Sequence, residues 1–234
     1  MTKEIIYKDL GKIEYAEAWE YQRKYFNEAL QQKIDKRKLS EHEKKRIKNH
    51  LFFCEHPHVY TLGKSGDVNN LLIKNEVLKT KGVTFFKTDR GGDITYHGPG
   101  QITGYPILDL EQFNLSIKSY VYQLEESVIE FLKQYNIKSE RLQGATGVWL
   151  DTNNPLKARK ICAIGIKSSR WITMHGFAFN INTDLEFYNY INPCGFTDKG
   201  VTSMEKELGY TLDMEKLKIE LKDCFGKIFK AEIY

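Results

Sequence analysis

A chain of 234 residues that is 41% hydrophobic, with 14 Tyr, 13 Phe and 3 Trp, holds enough apolar material for one sizeable core, and residues 1–234 are expected to form a single domain. No apolar run approaches the ~18 residues of a membrane-spanning helix. The opening MTKEIIYKDLGKIEYAEAWE is charged throughout and has no hydrophobic leader, so the reading is a cytoplasmic protein with no membrane partner. A net charge of +4, with Lys and Glu interleaved, is too mild for nucleic acid and fits weak attraction to an acidic partner.

The first predicted helix runs from Glu14 to Ile34, where Tyr15, Trp19, Phe26 and Leu30 recur at helical spacing with charges between them. Residues 35–50 (DKRKLSEHEKKRIKNH) are nearly all polar and read as a solvated helix end or loop, with a docking patch for an acidic partner as the alternative. Short β-branched or aromatic runs follow in LFFCEH, VYTLG, VTFFKTD and QITGYPILDL, bounded by Gly, Pro or Asn as strands are. A second helix is predicted from Ser116 to Tyr135 on the repeat of Tyr120, Leu124, Val128 and Leu132. Strand signals return in TGVWL, KICAIGIK and WITMHGFAFNI, and the tail from Leu212 to Lys230 is helical again. Strands and helices mix without βαβ alternation, which predicts an α+β fold with helices on a largely antiparallel sheet.

Residues 90–101 (RGGDITYHGPGQ) concentrate four glycines and a proline beside Arg90 and His97. Two ordinary turns around a short strand, Asp93–Tyr96, would explain the glycines. The two cationic side chains that bracket them look more like a pocket wall. Phosphate loops match poorly: no G-x-x-x-x-G-K-S/T is present and no G-x-G-x-x-G opens a helix. The four cysteines have no C-x-x-C spacing and read as free thiols of a reducing compartment. Cys54 and Cys162 lie in apolar strands and Cys224 in an amphipathic helix, so all three are expected to be buried and inert. Cys194 differs, being held between Pro193 and Gly195 in a constrained turn. In RKICAIG, strict alternation would put Lys160, Cys162 and Ile164 on one face and Ile161 and Ala163 on the other. A lysine at a strand's start is ordinarily solvated; one facing inward is a candidate to activate a nucleophile. His56 and His58 flank a proline, but no third ligand follows at suitable spacing, so no metal site is expected. His175 reads as a core histidine hydrogen-bonded to backbone.

Three blocks, RGGDITYHGPGQITGYPILDL, RKICAIGIKSSRWITMHGFAFNINTDL and INPCG, resemble the signature blocks of lipoyl(octanoyl) transferases, the octanoyl-[acyl carrier protein]:protein N-octanoyltransferases of lipoate biosynthesis. The resemblance runs from about His56 to Gly195, with blocks in order and Lys160 and Cys194 separated by 34 residues. Asp93 stands where that family usually has a polar amide, and Lys64 where an Arg often follows Leu-Gly. The resemblance implies a fold similar to biotin and lipoate protein ligase catalytic domains. It implies that Cys194 is the acyl-accepting nucleophile and Lys160 its activator. A nearby ammonium favours thiolate, and once deprotonated it can take a proton from an incoming amine. It also implies an acyl channel lined by Arg90, Gly91, Gly92, Asp93, Ile94, Thr95, Tyr96 and His97, by Ala163, Ile164 and Gly165, and by Gly176, Phe177 and Ala178. There the glycines would let a straight chain lie close to the backbone, and Ile164 and Phe177 would add apolar wall. His97 has two readings, one orienting the carbonyl or Lys160, the other structural. The implied donor is octanoyl-acyl carrier protein. The implied acceptors are lipoyl domains of 2-oxoacid dehydrogenase complexes and the glycine cleavage H protein. No cofactor is expected, because a thioester becoming an amide runs downhill without ATP. Two other classes stand beside this one: an ATP-dependent lipoate- or biotin-type protein ligase, and a non-catalytic acyl-binding module.

Overall fold

The computed structural model describes residues 3–36, 46–193 and 199–234. In chain order these form β1 (Lys3–Lys12), α1 (Tyr15–Asp35), β2 (His50–Glu55), β3 (Val59–Leu62), α2 (Asn75–Thr80), β4 (Thr84–Lys87), β5 (Ile94–His97), β6 (Gln101–Ile107), α3 (Leu110–Phe113) and α4 (Ile117–Lys133). The second half adds β7 (Glu140–Leu142), β8 (Ala145–Leu150), β9 (Arg159–Ser169), β10 (Ile172–Asn180), β11 (Gly200–Val201), α5 (Met204–Leu208), α6 (Met214–Phe229) and β12 (Ala231–Ile233).

The three predicted helices are present, and their ends have local causes. The Ser116 side chain accepts the Ser119 N–H and starts α4. Asp213 does the same for the Glu215 and Lys216 N–H groups at the start of α6, and Lys230, in the left-handed conformation, ends that helix. The α4 stripe of Tyr120, Leu124, Val128 and Leu132 is fully buried. On α1 the buried stripe is Tyr15, Ala18, Gln22, Phe26 and Ala29, so Trp19 and Leu30 flank it rather than centre it. Residues 37–45, most of the charged stretch read as a helix end or docking patch, lie outside the described residues.

Among the described residues the main sheet runs β12-β1-β2-β6-β10-β9-β8-β7, with β11 added beside β9. Pairing is antiparallel from β2 to β7, as the lack of βαβ alternation predicts, while β1 is parallel to both β2 and β12. One face packs Leu51, Phe53, Ile102, Ile161, Cys162 and Phe179 under α4 and α6. The other packs Phe52, Cys54, Tyr105, Ile107 and Met174 under α1. A smaller sheet, β4-β3-β5, holds the glycine-rich block, with Leu62–Val59 running antiparallel to Ile94–His97. No helix among the described residues is long and apolar enough to cross a membrane.

Candidate active site

Strand β9 does not keep strict alternation. Val148 pairs with Cys162 but Trp149 pairs with Lys160, so one extra residue, Ile161, bulges from β9. The bulge reverses the parity of facing. Lys160, Ala163 and Gly165 all line one cavity, with Ile164 at its wall, while Cys162 packs with Ile161 in the core under α4 and α6. The expectation that Lys160 and Cys162 share a face is therefore corrected. Lys160 is 8% exposed, which answers the solvated reading, and its Nζ lies 4.7 Å from the centroid of the Trp149 ring. Gly147 lies beside it, required by its own backbone and by the close Cys162 carbonyl. At φ +125° a Cβ there would sit 2.5 Å from the Cys162 carbonyl and 3.4 Å from the Lys160 stem.

The glycine-rich block forms the opposite wall through Arg90, Gly92, Asp93, Ile94, Thr95 and His97. Tyr96 points away, its hydroxyl bonded to His58 Nδ1 at 2.7 Å. Gly91 borders a neighbouring groove beside Lys160 and Val121 instead of the cavity. Arg90 is buried and donates to the Thr61 carbonyl at 2.6 Å, the Thr61 hydroxyl at 3.0 Å and the Gly91 carbonyl at 3.0 Å. Gln101 Oε1 can only accept, so His97, being neutral, carries its proton on Nδ1 and accepts the Thr61 hydroxyl proton at Nε2 at 3.2 Å. His97 Nδ1–H then donates to Gln101 Oε1 at 2.9 Å. The Gln101 amide donates to Asn180 Oδ1 at 2.9 Å, and the Asn180 amide to the Thr202 carbonyl at 3.0 Å. Thr202 N–H in turn donates to the Lys160 carbonyl at 2.9 Å. A polar chain thus runs from Arg90 to the Thr202 carbonyl, each bond polarising the next, and the N–H of the same residue reaches the backbone of Lys160. Burial, with His56 and Arg90 nearby, pushes His97 well below its ordinary pKa, so it is a neutral relay in this chain.

The cavity floor comes from β10, β6 and α1, with Gly176, Phe177 and Ala178 beside Thr103, Tyr105 and Tyr15. Phe177 borders it from the strand, but its ring packs on Phe53 and fills the space over Gly104, where a Cβ would collide with it. A Cβ on Gly176 would run into the Gly104 carbonyl, and one on Gly165 would lie 2.8 Å from the Gly91 carbonyl. Close backbone approach therefore accounts for both glycines. His175 also lines the cavity, in a left-handed conformation at φ +59° in mid-strand. Its partner is not backbone, as expected, but the Asp89 carboxylate at 2.7 Å, which Lys167 holds from the other side at 2.5 Å. The bond from His175, then Lys167, keeps Asp89 well below the usual carboxylate range, while burial lowers His175.

Cys54, Cys162 and Cys224 are buried free thiols, and burial raises all three. Cys194 lies outside the described residues; Pro193 before it and Lys199 after them line the cavity. Sequence reasoning did not single out Tyr15, Thr61, Gln101, Trp149, Asn180 or Tyr188 as site residues. Gln101 closes the glycine-rich block itself, while the others come from elements outside it, and the one local signal among those is that Asn180 is an amide inside the apolar run GFAFNI.

The family described as "Lipoyl protein ligase A/B catalytic domain" matches residues 14–226. An octanoyltransferase of Parabacteroides distasonis is 57% identical over 223 residues, covering 95% of this chain and 97% of its own length. One from Christiangramia forsetii is 51% identical, covering 100% of this chain and 99% of its own. The fold is shared with solved structures of low identity. A bi-partite lipoate protein ligase from Thermoplasma acidophilum superposes with a TM-score of 0.68 at 14% identity, covering 100% of this chain and 86% of that one. The biotin protein ligase of Aquifex aeolicus with biotin and ATP superposes at 0.51 and 12% identity, covering 97% and 71%.

Proposed function

We propose that this chain, which belongs to the lipoyl protein ligase A/B catalytic domain family and is an octanoyltransferase, carries the octanoyl group as a thioester on Cys194. Members of this family work between an acyl donor and a lipoyl-domain acceptor. We assign the donor as octanoyl-acyl carrier protein. The acceptors are a lysine on lipoyl domains of 2-oxoacid dehydrogenase complexes and on the glycine cleavage H protein. Residues 1–234 are taken as one catalytic domain, which the family match over 14–226 supports. Four cysteines without disulfide spacing suit a reducing compartment, and we place the protein in the cytoplasm.

The supporting observation is that Lys160 and Pro193, the residue before Cys194, line one cavity with the glycine-rich block. The other three thiols are buried and raised, so none of them is a ready nucleophile. In the first step the Cys194 thiolate attacks the octanoyl carbonyl. The carrier's sulfur leaves as a thiol, taking its proton from the Lys160 ammonium. In the second, the acceptor amine attacks the acyl-Cys194 carbonyl, the now neutral Lys160 takes the amine's proton, and the Cys194 thiolate leaves. A thioester is exchanged for an amide, so no nucleotide enters either step. Ala163, Ile164 and Ala178 give the chain an apolar bed, while Arg90 and His97 hold the wall around the carbonyl in a fixed, neutral-histidine arrangement.

Intact-protein mass spectrometry after mixing with octanoyl-acyl carrier protein tests this. An adduct of one octanoyl group should form without ATP and be absent from Cys194→Ala. An adduct that persists on another cysteine would remove the assignment, and transfer that requires ATP would favour a ligase.

A further inference from the structure

Two stretches far apart in the chain, the cavity-lining 92–95 and the Asn192–Pro193 pair whose proline lines the cavity, are joined by a third, residues 67–72. Asp93 divides its carboxylate between two tasks. Its Oδ1 accepts the backbone N–H groups of Ile94 at 2.6 Å and Asp67 at 3.2 Å. Its Oδ2 accepts the side-chain amide of Asn70 at 2.5 Å. The Asn70 carbonyl, on the same residue, accepts the N–H of Asn192 at 2.8 Å. Around it, Leu72 N–H donates to the Tyr190 carbonyl at 2.9 Å, and Leu71 bridges Ile191 as an isolated antiparallel pair. Asn70 therefore stands between the glycine-rich wall and the backbone that leads into Cys194, holding one with its side chain and the other with its carbonyl.

We infer that Asn70 is a positioning residue for acyl transfer, fastening the Asn192–Pro193 backbone to the glycine-rich loop through Asp93. The inference rests on Cys194 being the acyl acceptor. The chemistry at residue 70 is narrowly defined. Asp93, as a carboxylate, can only accept, so its partner must donate. A charge-assisted bond of this kind is about twice as strong as a neutral one. The neighbouring Leu71–Ile191 and Leu72–Tyr190 contacts keep the two segments adjacent, and the Asp67 N–H ties the far end of 67–72 to Asp93, so the Asn70 amide is the tie carried by the residue that itself bonds Asn192.

A donor–acceptor swap tests the role. Asn70→Asp sets two acceptors face to face and should slow octanoyl-adduct formation roughly tenfold or more, the scale of a lost hydrogen bond to a charged group. In an Asp93→Asn background the same substitution meets a donor, because the amide introduced at position 93 can keep its oxygen on the two backbone N–H groups and offer its nitrogen. There Asn70→Asp should cost little, and the double variant should match Asp93→Asn alone. The loss should fall on the first-order rate of adduct formation at saturating octanoyl-acyl carrier protein, with thermal midpoints of the variants close together. If Asn70→Asp does not fold, Asn70→Ala takes its place and should show a similar slowing. An unchanged rate in the parent background, or an equal penalty in both backgrounds, overturns the inference. Cys194→Ala run alongside separates the two readings: an octanoyl adduct on that variant defeats the nucleophile assignment whatever the swap shows.

Discussion

Strands β6, β9 and β10 present two faces made on different terms. Towards α4 and α6 stand Ile102, Ile161, Cys162, Phe177 and Phe179, at most 4% exposed, with Phe179 edge-on to Phe131 at 5.7 Å. Towards α1 and the cavity stand Thr103, Tyr105, Lys160, Ala178 and Asn180, beside the buried Arg90, His97 and Gln101. The first face closes on itself because apolar side chains interdigitate and burial stabilises them. The second keeps a cleft open because Arg90, His97, Gln101 and Asn180 are already satisfied by one another, by Thr61 and by backbone carbonyls. Closing the cleft would gain them no further partners. The difference implies that truncating a packed-face side chain lowers stability, while replacing Lys160 on the cavity face lowers activity with little change in melting.

Lys160 should break the comparison most visibly if it fails. Lys160→Arg keeps the charge but cannot give up a proton at neutral pH, so it should retain part of the alkylation rate of Cys194. Octanoyl transfer should fall ~10²–10⁴-fold, the usual scale for losing a proton-transfer group. Lys160→Ala should slow alkylation by iodoacetamide at pH 7 as well. Equal alkylation rates in Lys160→Ala and the parent would end the activator role.

On the packed face, Phe179→Ala should cost about 4 kcal/mol of stability, from lost burial and the cavity left against Phe131. Transfer by the folded fraction should fall far less than in Lys160→Arg. Urea melts alongside single-turnover assays test the pairing. A Phe179→Ala protein that melts like the parent, or one that keeps its fold but loses transfer as Lys160→Arg does, would show that the two faces are not separate.

Acid should act on the cavity side. His56, His97 and His175 all lie on this side, and burial lowers each of them. His56 is the clearest case, pushed down from 6.5 to about 4 while its Nδ1–H donates to the Ile13 carbonyl and its Nε2 accepts from Tyr105. A histidine whose folded pKa is depressed stabilises the fold fully above its unfolded pKa, and that contribution is lost as pH falls. Here the window is 6.5 down to about 4, a gap equivalent to about 3 kcal/mol. His56→Gln should be less stable at pH 7 yet lose less stability than the parent between pH 6.5 and 4. Parallel pH profiles of thermal midpoint would show that His56 is not the group responsible.

The two faces also differ in how far they could be read in the sequence. The packed face was legible because α4 repeats Tyr120, Leu124, Val128 and Leu132 at helical spacing from Ser116, and the tail from Leu212 to Lys230 reads as helix, local signals that need no knowledge of the fold. Strands β1 and β12 were not, since their charges interleave and their pairing is between chain ends. On the cavity face the resemblance supplied Lys160 and the glycine-rich block. It did not supply the way they face, because the bulge at Ile161 depends on pairing with β8. Asp89 was missed as the partner of His175, a contact across 86 positions, and so was Asn70, whose role exists only once Asp93 and Asn192 are side by side.

The smallest expected effect sharpens the boundary between the faces at the cavity rim. Gly92 lies at φ +87°, where an L-residue is strained, yet a Cβ there would meet only Arg90 Nη1 at 3.4 Å. The demand for glycine thus comes from the backbone turn more than from a crowded wall. Gly92→Ala should cost roughly 1 kcal/mol, lowering the thermal midpoint by a few degrees. Its methyl group would stand by the Arg90 guanidinium, away from the apolar bed of Ala163 and Ala178. Transfer of octanoyl and of butanoyl groups should therefore fall by the same small factor. A larger loss for octanoyl, with an unchanged midpoint, would mean that the acyl chain runs along Gly92. The rim would then belong to the substrate channel, as the sequence reading expected, and the glycine would be there for the chain rather than for the turn.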